Sequence, residues 1–216
     1  MLRAYTRHAV VVIAVVVATA VQAAQLPPPI ELPKPKLDNS TTLVQALKAR
    51  RTGREFSTAP LPIQTLSDLL WAAFGVNRDD GRRTAPSAHN WQEIDIYVAL
   101  PQGVYVFDGK AHALTGVVAG DLRAATGKQG FVKDAPATLV FVADLARMKD
   151  ASPEDRDIYS ATDAAFISQN VYLYCAAAGL ATGVRGMVDR PALAKALGLR
   201  PEQRIVLAQS VGYPKQ

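Results

Sequence analysis

Residues 161–179 read Ala-Thr-Asp-Ala-Ala-Phe-Ile-Ser-Gln-Asn-Val-Tyr-Leu-Tyr-Cys-Ala-Ala-Ala-Gly, and on a 3.6-residue period apolar side chains occupy nearly every angle around the resulting helix. A helix that is apolar all round must be covered on all sides, so it belongs at the centre of a domain or between two subunits. Its polar exception, Ser168-Gln169-Asn170, then has to find hydrogen-bond partners inside that setting. The rest of the chain has to be arranged around this helix.

Upstream, Leu43, Val44 and Leu47 followed by Arg50-Arg51 predict a short amphipathic helix capped by Ser40, Thr41 or Thr42. A second helix is expected from about Ile63 to Phe74, with Leu66, Leu69, Leu70 and Phe74 on one face and Gly75 as its stop. Residues 75–92 are rich in Gly, Asn, Asp, Arg, Pro and Ser and form a long loop, a length that in compact domains usually carries function or disorder. Residues 94–98 and 103–107 are β-rich runs around Pro101-Gln102-Gly103, which is the spacing of a hairpin. A short run near 111–117 follows the turn at Asp108-Gly109, and 137–143 reads as a continuous buried strand. Residues 147–157 read as a polar connection, 191–197 as a helix opened by proline, and 205–211 as a last strand. The order gives an α+β fold, a mixed or antiparallel sheet flanked by helices, without internal repeats.

The N-terminus is a separate matter. Arg3 and Arg7 precede an apolar run from Ala9 to Ala18, and Val21-Gln22-Ala23 supplies small residues for cleavage, so residues 1–23 are expected to be a general secretory signal peptide. The run is shorter than the roughly 20 apolar residues a spanning helix needs, so no stable membrane span is expected after cleavage, and the destination is the periplasm or the medium. Residues 24–40 hold five prolines and read as an extended linker or strap, which leaves one folded domain at 41–216. Loss of Arg3 and Arg7 lowers the formal charge from +5 to +3, and the remaining charges are scattered, which argues against nucleic-acid binding. The single cysteine, Cys175, allows no internal disulfide and reads as a small buried apolar residue.

Hydrolytic and metal chemistry find little support. Beyond His8 the chain has only His89 and His112, neither with a partner at metal-ligand spacing, and there is no nucleophile elbow, phosphate loop or CxxC pair. Gly179, Gly183 and Gly186 depart from the dinucleotide fingerprint. A bound cofactor is then the economical source of any reaction. Three segments suit one. Arg50, Arg51, Thr52 and Arg54 gather guanidinium forks and a hydroxyl where a helix ends, a donor set for phosphate as well as a solvated basic helix end. Pro86-Ser87-Ala88-His89-Asn90-Trp91-Gln92 combines small residues with polar groups able to read a heterocycle edge, or forms an ordinary polar loop. Residues 179–187 hold glycines that let the backbone pass close to something flat, or simply cap the helix and turn.

Taken in order, RRTGREF, LSDLLWAAFGVNR, RTAPSAHNWQ, QNVYLYCAAAGLATG and VGYP resemble the nitroreductase family, in particular its short branch similar to thiazoline/oxazoline dehydrogenases. The resemblance spans about residues 43–214. It implies an FMN-binding obligate homodimer whose subunits wrap around each other, with two flavin sites at the interface and the 161–179 helix packed on its mate. Arg50, Thr52 and Arg54, with Arg51 close by, would hold the phosphate, and Lys215 would follow them from the last strand. Ser87 and Asn90, with Pro86, Ala88 and Gln92 in the same loop, would meet the pyrimidine edge, while Arg185 and Gly186 would lie beside the flavin N5. The implied activity is hydride transfer from NADH or NADPH through FMN to a nitroaromatic, a quinone or a similar acceptor, without a catalytic side chain. The alternatives are a flavin-dependent thiazoline/oxazoline dehydrogenase and a non-catalytic envelope protein that binds a ligand on the same fold.

Overall fold

The computed structural model describes residues 25–36 and 40–215. The expected export signal, residues 1–23, lies outside the described residues. Seven strands among them, β1 (Ile30–Glu31), β2 (Ile94–Leu100), β3 (Gly103–Asp108), β4 (Ala113–Ala119), β5 (Ala137–Asp144), β6 (Ala181–Arg185) and β7 (Gln203–Gly212), form one sheet ordered β1-β4-β3-β2-β5-β7-β6. Every pairing is antiparallel. Four α-helices flank it: α1 (Leu43–Ala49), α2 (Ile63–Phe74), α3 (Pro153–Ala177) and α4 (Arg190–Leu197).

β5 sits centrally between β2 and β7, and all eight of its residues are buried. Side chains alternate across a strand. Leu139, Phe141 and Ala143 accordingly join the larger core under α2 and α3 with Leu69, Leu70, Phe74, Ile167 and Val171, while Val140 and Val142 join a smaller one with Leu193 and Leu197 of α4. The sheet is therefore covered on both faces, which is why the sequence of β5 shows no polar alternation.

The long helix begins earlier than its apolar run indicates. Ser152 caps it by accepting from the Asp155 N–H, Pro153 occupies the first turn, and Glu154 and Asp155 complement the dipole. The stretch expected as a connection, 147–157, thus contains the first turn of α3. Nor is the helix covered on all sides within one chain: Ala164, Ile167, Ser168, Val171 and Cys175 are buried, whereas Ala161, Ala165, Phe166 and Gln169 are exposed. The apolar side chains of α1 behave similarly. Thr42, one of the three expected caps, forms a capping box with Gln45, but Leu43, Val44 and Leu47 point outward and the buried residue is Ala46.

Two strands are absent from the sequence reading. β6 lies in the segment taken for a glycine turn; Gly179 does end α3 in the left-handed region (φ +68°), but extended chain resumes at once. β1 belongs to the proline-rich strap. It pairs with β4, and beyond it the Leu32 N–H reaches the His112 carbonyl at 3.3 Å and the Ser67 hydroxyl donates to the Pro33 carbonyl at 2.5 Å. The strap thus lies on the edge of its own sheet, a position otherwise open to strand addition.

Candidate functional site

Residues 50–56 leave α1 as extended chain and are fixed from two sides. The Gly53 N–H donates to the Thr182 carbonyl of β6 at 2.8 Å, and Phe56 bridges Pro214 while the Lys215 N–H donates to the Glu55 carbonyl at 3.2 Å. Two glycines permit the close approach: a side chain at Gly183 would meet the Gly53 carbonyl oxygen at 2.8 Å, and one at Gly53 would meet Ala181 at 3.0 Å. Gly183 inside a strand marks this backbone contact.

The result is a cavity of about 640 Å³ lined by Lys48, Arg50, Arg51, Arg54 and Lys215, with Gly179, Leu180, Ala181 and Thr182 opposite and Tyr172 and Ala176 of α3 between. Five cations face it, with Glu55 as the acid in its lining, and among the described residues none of the five forms an ion pair. Tyr172 organises the rim. Its ring lies under the Arg50 guanidinium at 5.4 Å, and its hydroxyl accepts from the Val184 N–H at 3.1 Å and meets the Thr52 Oγ1 at 3.0 Å. The first expected segment and Lys215 thus converge. Tyr172 and Lys48 were not among the expected residues; Tyr172 looks like helix core in the sequence, although it falls on the same stretch of α3 as Ala176.

The loop of residues 85–92 lines a different cavity, about 410 Å³, with Pro86, Ser87, Asn90 and Gln92 on one side and Arg78, Arg82 and Arg83 on the other. His89, Asn90 and Gln92 adopt left-handed backbone angles (φ 49°, 56° and 49°). Such residues cost of order 1–3 kcal/mol each and persist where their surroundings over-determine them, often at functional sites. Here the Gln92 N–H donates to the Ser87 hydroxyl at 2.8 Å, the Gln92 amide donates to the Gly81 carbonyl at 3.2 Å and the Asn90 Oδ1 at 3.0 Å, and Arg83 donates to the Gln92 Oε1 at 2.8 Å. Ser87 in turn donates its one hydroxyl hydrogen to Glu93. Within this chain the Ser87 hydrogen is therefore spent on Glu93, while the Asn90 amide N–H groups remain at the cavity wall.

Arg185 and Gly186 separate. Gly186 is exposed after β6, but the Arg185 side chain turns inward and is 6% exposed, donating to the Ser210 hydroxyl and the Thr126 Oγ1, both at 2.9 Å. Among the described residues no carboxylate pairs with it and its Nε lacks a partner, and burial lowers its pKa to about 10. Cys175 is also buried and free, its thiol pKa raised by burial, and it takes no part in either cavity.

A sequence model described as the Nitroreductase family matches residues 47–213. A protein of Methanocaldococcus jannaschii provisionally described as a nitroreductase is 31% identical over 150 residues, 65% of this chain and 76% of that one. The crystal structure of a protein of Ralstonia eutropha JMP134, given the same provisional description, superposes with a TM-score of 0.84 at 44% identity, covering 88% of this chain and 91% of the other. At 20% identity and a TM-score of 0.59, the NADPH:FMN oxidoreductase of Vibrio harveyi shares the fold over 81% of this chain and 69% of its own.

Proposed function

Because the chain belongs to the nitroreductase family of FMN-dependent oxidoreductases, we propose that it passes hydride from NADH or NADPH through FMN to a small acceptor, a nitroaromatic or a quinone, outside the cytoplasm. FMN, when bound, supplies the two-electron chemistry, and the protein's part is to bind and orient it.

The observation that carries this reading is the set of five unpaired cations around the first cavity. Unneutralised guanidinium and ammonium groups converging on one space match a phosphate dianion, and arginine forks hold phosphate oxygens two at a time. Arg50, Arg51, Arg54, Lys48 and Lys215 would bind the phosphate, with the Thr52 hydroxyl, steadied by Tyr172, as a further donor. Asn90 and Gln92 would meet the polar ring edge, and the exposed backbone at Gly186 would approach the ring. No side chain is assigned an acid or base role.

Within one chain these parts are separate cavities. The cation cavity meets α3 at Tyr172 and Ala176, whereas the loop meets α3 at Tyr159 and Asp163. Nine residues of helix separate Asp163 from Tyr172 and thirteen separate it from Ala176, about 14 Å and 20 Å at 1.5 Å per residue. Antiparallel packing of α3 on its mate about a two-fold axis would bring the loop end of one copy to the cavity end of the other and complete two sites. Such an isologous contact needs an exposed apolar face. Phe166 (44% exposed) with Ala161 and Ala165 of α3, and Leu43 (64%) and Leu47 (52%) of α1, supply one.

Export rests on the Arg3/Arg7, apolar-run and small-residue pattern at the N-terminus. The first test is the visible spectrum of the purified mature protein after FMN addition and removal of excess. About one flavin per chain, bleached by NADH or NADPH and recovered on adding a quinone or nitroaromatic, is expected. A folded, colourless dimer would overturn the oxidoreductase reading in favour of ligand binding alone. Intact mass of the protein from the periplasmic fraction tests export, with loss of residues 1–23 expected.

A further inference from the structure

Glu93 directly follows the strained loop and is completely buried (0% exposed) beside Asp163 of α3 (2% exposed). Each carboxyl takes one hydrogen bond from the loop: the Ser87 hydroxyl donates to Glu93 Oε2 at 3.2 Å, and the Ala88 N–H donates to Asp163 Oδ2 at 2.9 Å. The other Glu93 oxygen, Oε1, is buried without a donor. The Asp163 carboxyl is near enough for its charge to push the Glu93 carboxyl up. No lysine or arginine among the described residues pairs with either one.

Two adjacent carboxylates cannot both remain ionised away from water without a cation. A single proton held by the pair leaves it with one negative charge, in the manner of a coupled dyad, and on Oε1 it would give that orphaned oxygen a hydrogen to donate. Burial, and then the backbone and the charge of Asp163, set the Glu93 carboxyl, with a net rise to about 7. The other charged or titratable groups nearby are Tyr159 of α3, His89 and Arg83 of the loop, Asp95 of β2, and Asp144 and Arg147 at the end of β5. Arg83 is spent on Gln92, Arg147 holds the Gln92 carbonyl and Asp95, and Asp144 donates only its backbone N–H to the Glu93 carbonyl. His89 lies tilted against Trp91, and Tyr159 meets Trp91 edge to face.

We infer that Glu93 is a positioning residue of the site: through a proton shared with Asp163 it fixes Ser87, and with Ser87 the strained loop that presents Asn90 and Gln92. The inference rests on the reading of that loop as one wall of the flavin site. When the shared proton leaves, the two anions repel, the anchors of Ser87 and Ala88 shift apart, and the left-handed residues are no longer over-determined. The loop is therefore set below neutral pH and released as pH rises above it.

Glu93→Gln tests this, because the amide donates permanently to Asp163 and still accepts from Ser87. FMN affinity is measured from pH 6 to pH 9 for the wild type and for Glu93→Gln, and apo-protein Trp91 emission is followed over the same range in a Trp71→Phe background. The wild type is expected to lose FMN affinity by about tenfold more than Glu93→Gln across this range, the cost of one unit of proton linkage. Trp91 emission should show a transition near pH 7 that the Gln variant lacks. Identical pH profiles for the two proteins in both measurements would overturn the inference. If neither protein binds FMN at any pH but the Trp91 transition still disappears in Glu93→Gln, the flavin reading fails and the acid pair stands.

Discussion

The cation cavity and the loop of residues 85–93 would hold opposite ends of the same ligand, but they are built in contrary ways. Around the cavity the charged side chains are mostly exposed and unpaired, and the backbone beneath them is fixed by β6 and the C-terminal segment. In the loop the backbone itself is strained, and it is held by a part-buried polar network in which Ser87, Ala88 and Gln92 bond to Glu93, Asp163 and one another. The first design makes binding energy separable from folding energy. The second ties them together, so a change that loosens the loop should cost stability and affinity at once, while a change at the cavity should cost affinity alone.

The strongest way to break the comparison is to keep the two regions apart. Leu47→Glu with Phe166→Glu places charge on the exposed apolar faces of α1 and α3 without disturbing a buried residue. Sedimentation should report a folded monomer, and FMN binding should vanish although cavity and loop are both intact. A monomer that binds FMN normally would mean that one chain completes the site. The next largest effect separates binding from stability. Arg50→Ala with Arg54→Ala removes two charge-assisted contacts of roughly 1.5–3 kcal/mol each, so FMN affinity should fall 100-fold or more with the thermal midpoint unchanged.

How far each region was legible in the sequence follows from the same contrast. Arg50, Arg51, Thr52, Arg54 and Lys215 announce phosphate by residue type, and the structure gathers them. Tyr172, which orients them, is disguised as one more apolar position of α3. The loop was visible through its small and polar residues, but its supports were not. Glu93 falls between the loop and the strand that follows it, and Asp163 sits in a helix read as apolar all round; neither was singled out, and only the fold brings them side by side. Among the elements, α2 is legible from its period, the β2–β3 hairpin from its spacing and β5 from its unbroken apolar run, and each appears where the sequence places it. β6 was missed because Gly183, required by the Gly53 carbonyl, weakens a strand pattern. The apolar face of α1 was legible as a face, but apolar spacing says that a face is to be covered, not by what.

Gly183→Ala joins the two designs. Its methyl group would press on the Gly53 carbonyl, displacing the cation segment from β6. Overpacking of this kind costs about 1–3 kcal/mol, so calorimetry should show a lower midpoint and titration a weaker FMN complex, in contrast to the arginine double mutant. An unchanged midpoint would mean the segment yields freely.

The smallest expected effect concerns the loop with no ligand present. Glu93 has its carboxyl pKa raised in the fold, to about 7 from an ordinary 4.5, with burial the main cause. The native state therefore holds a proton that the unfolded chain gives up, and the contribution of this group to stability is complete below about pH 4.5, declines between there and pH 7, and is lowest above. Glu93→Gln has no such proton to lose. Urea unfolding of the apo protein should find the variant's stability, relative to the wild type, rising across that window and level above it. If the difference instead falls as pH rises, Glu93 is ionised in the fold and the loop is anchored by a charge.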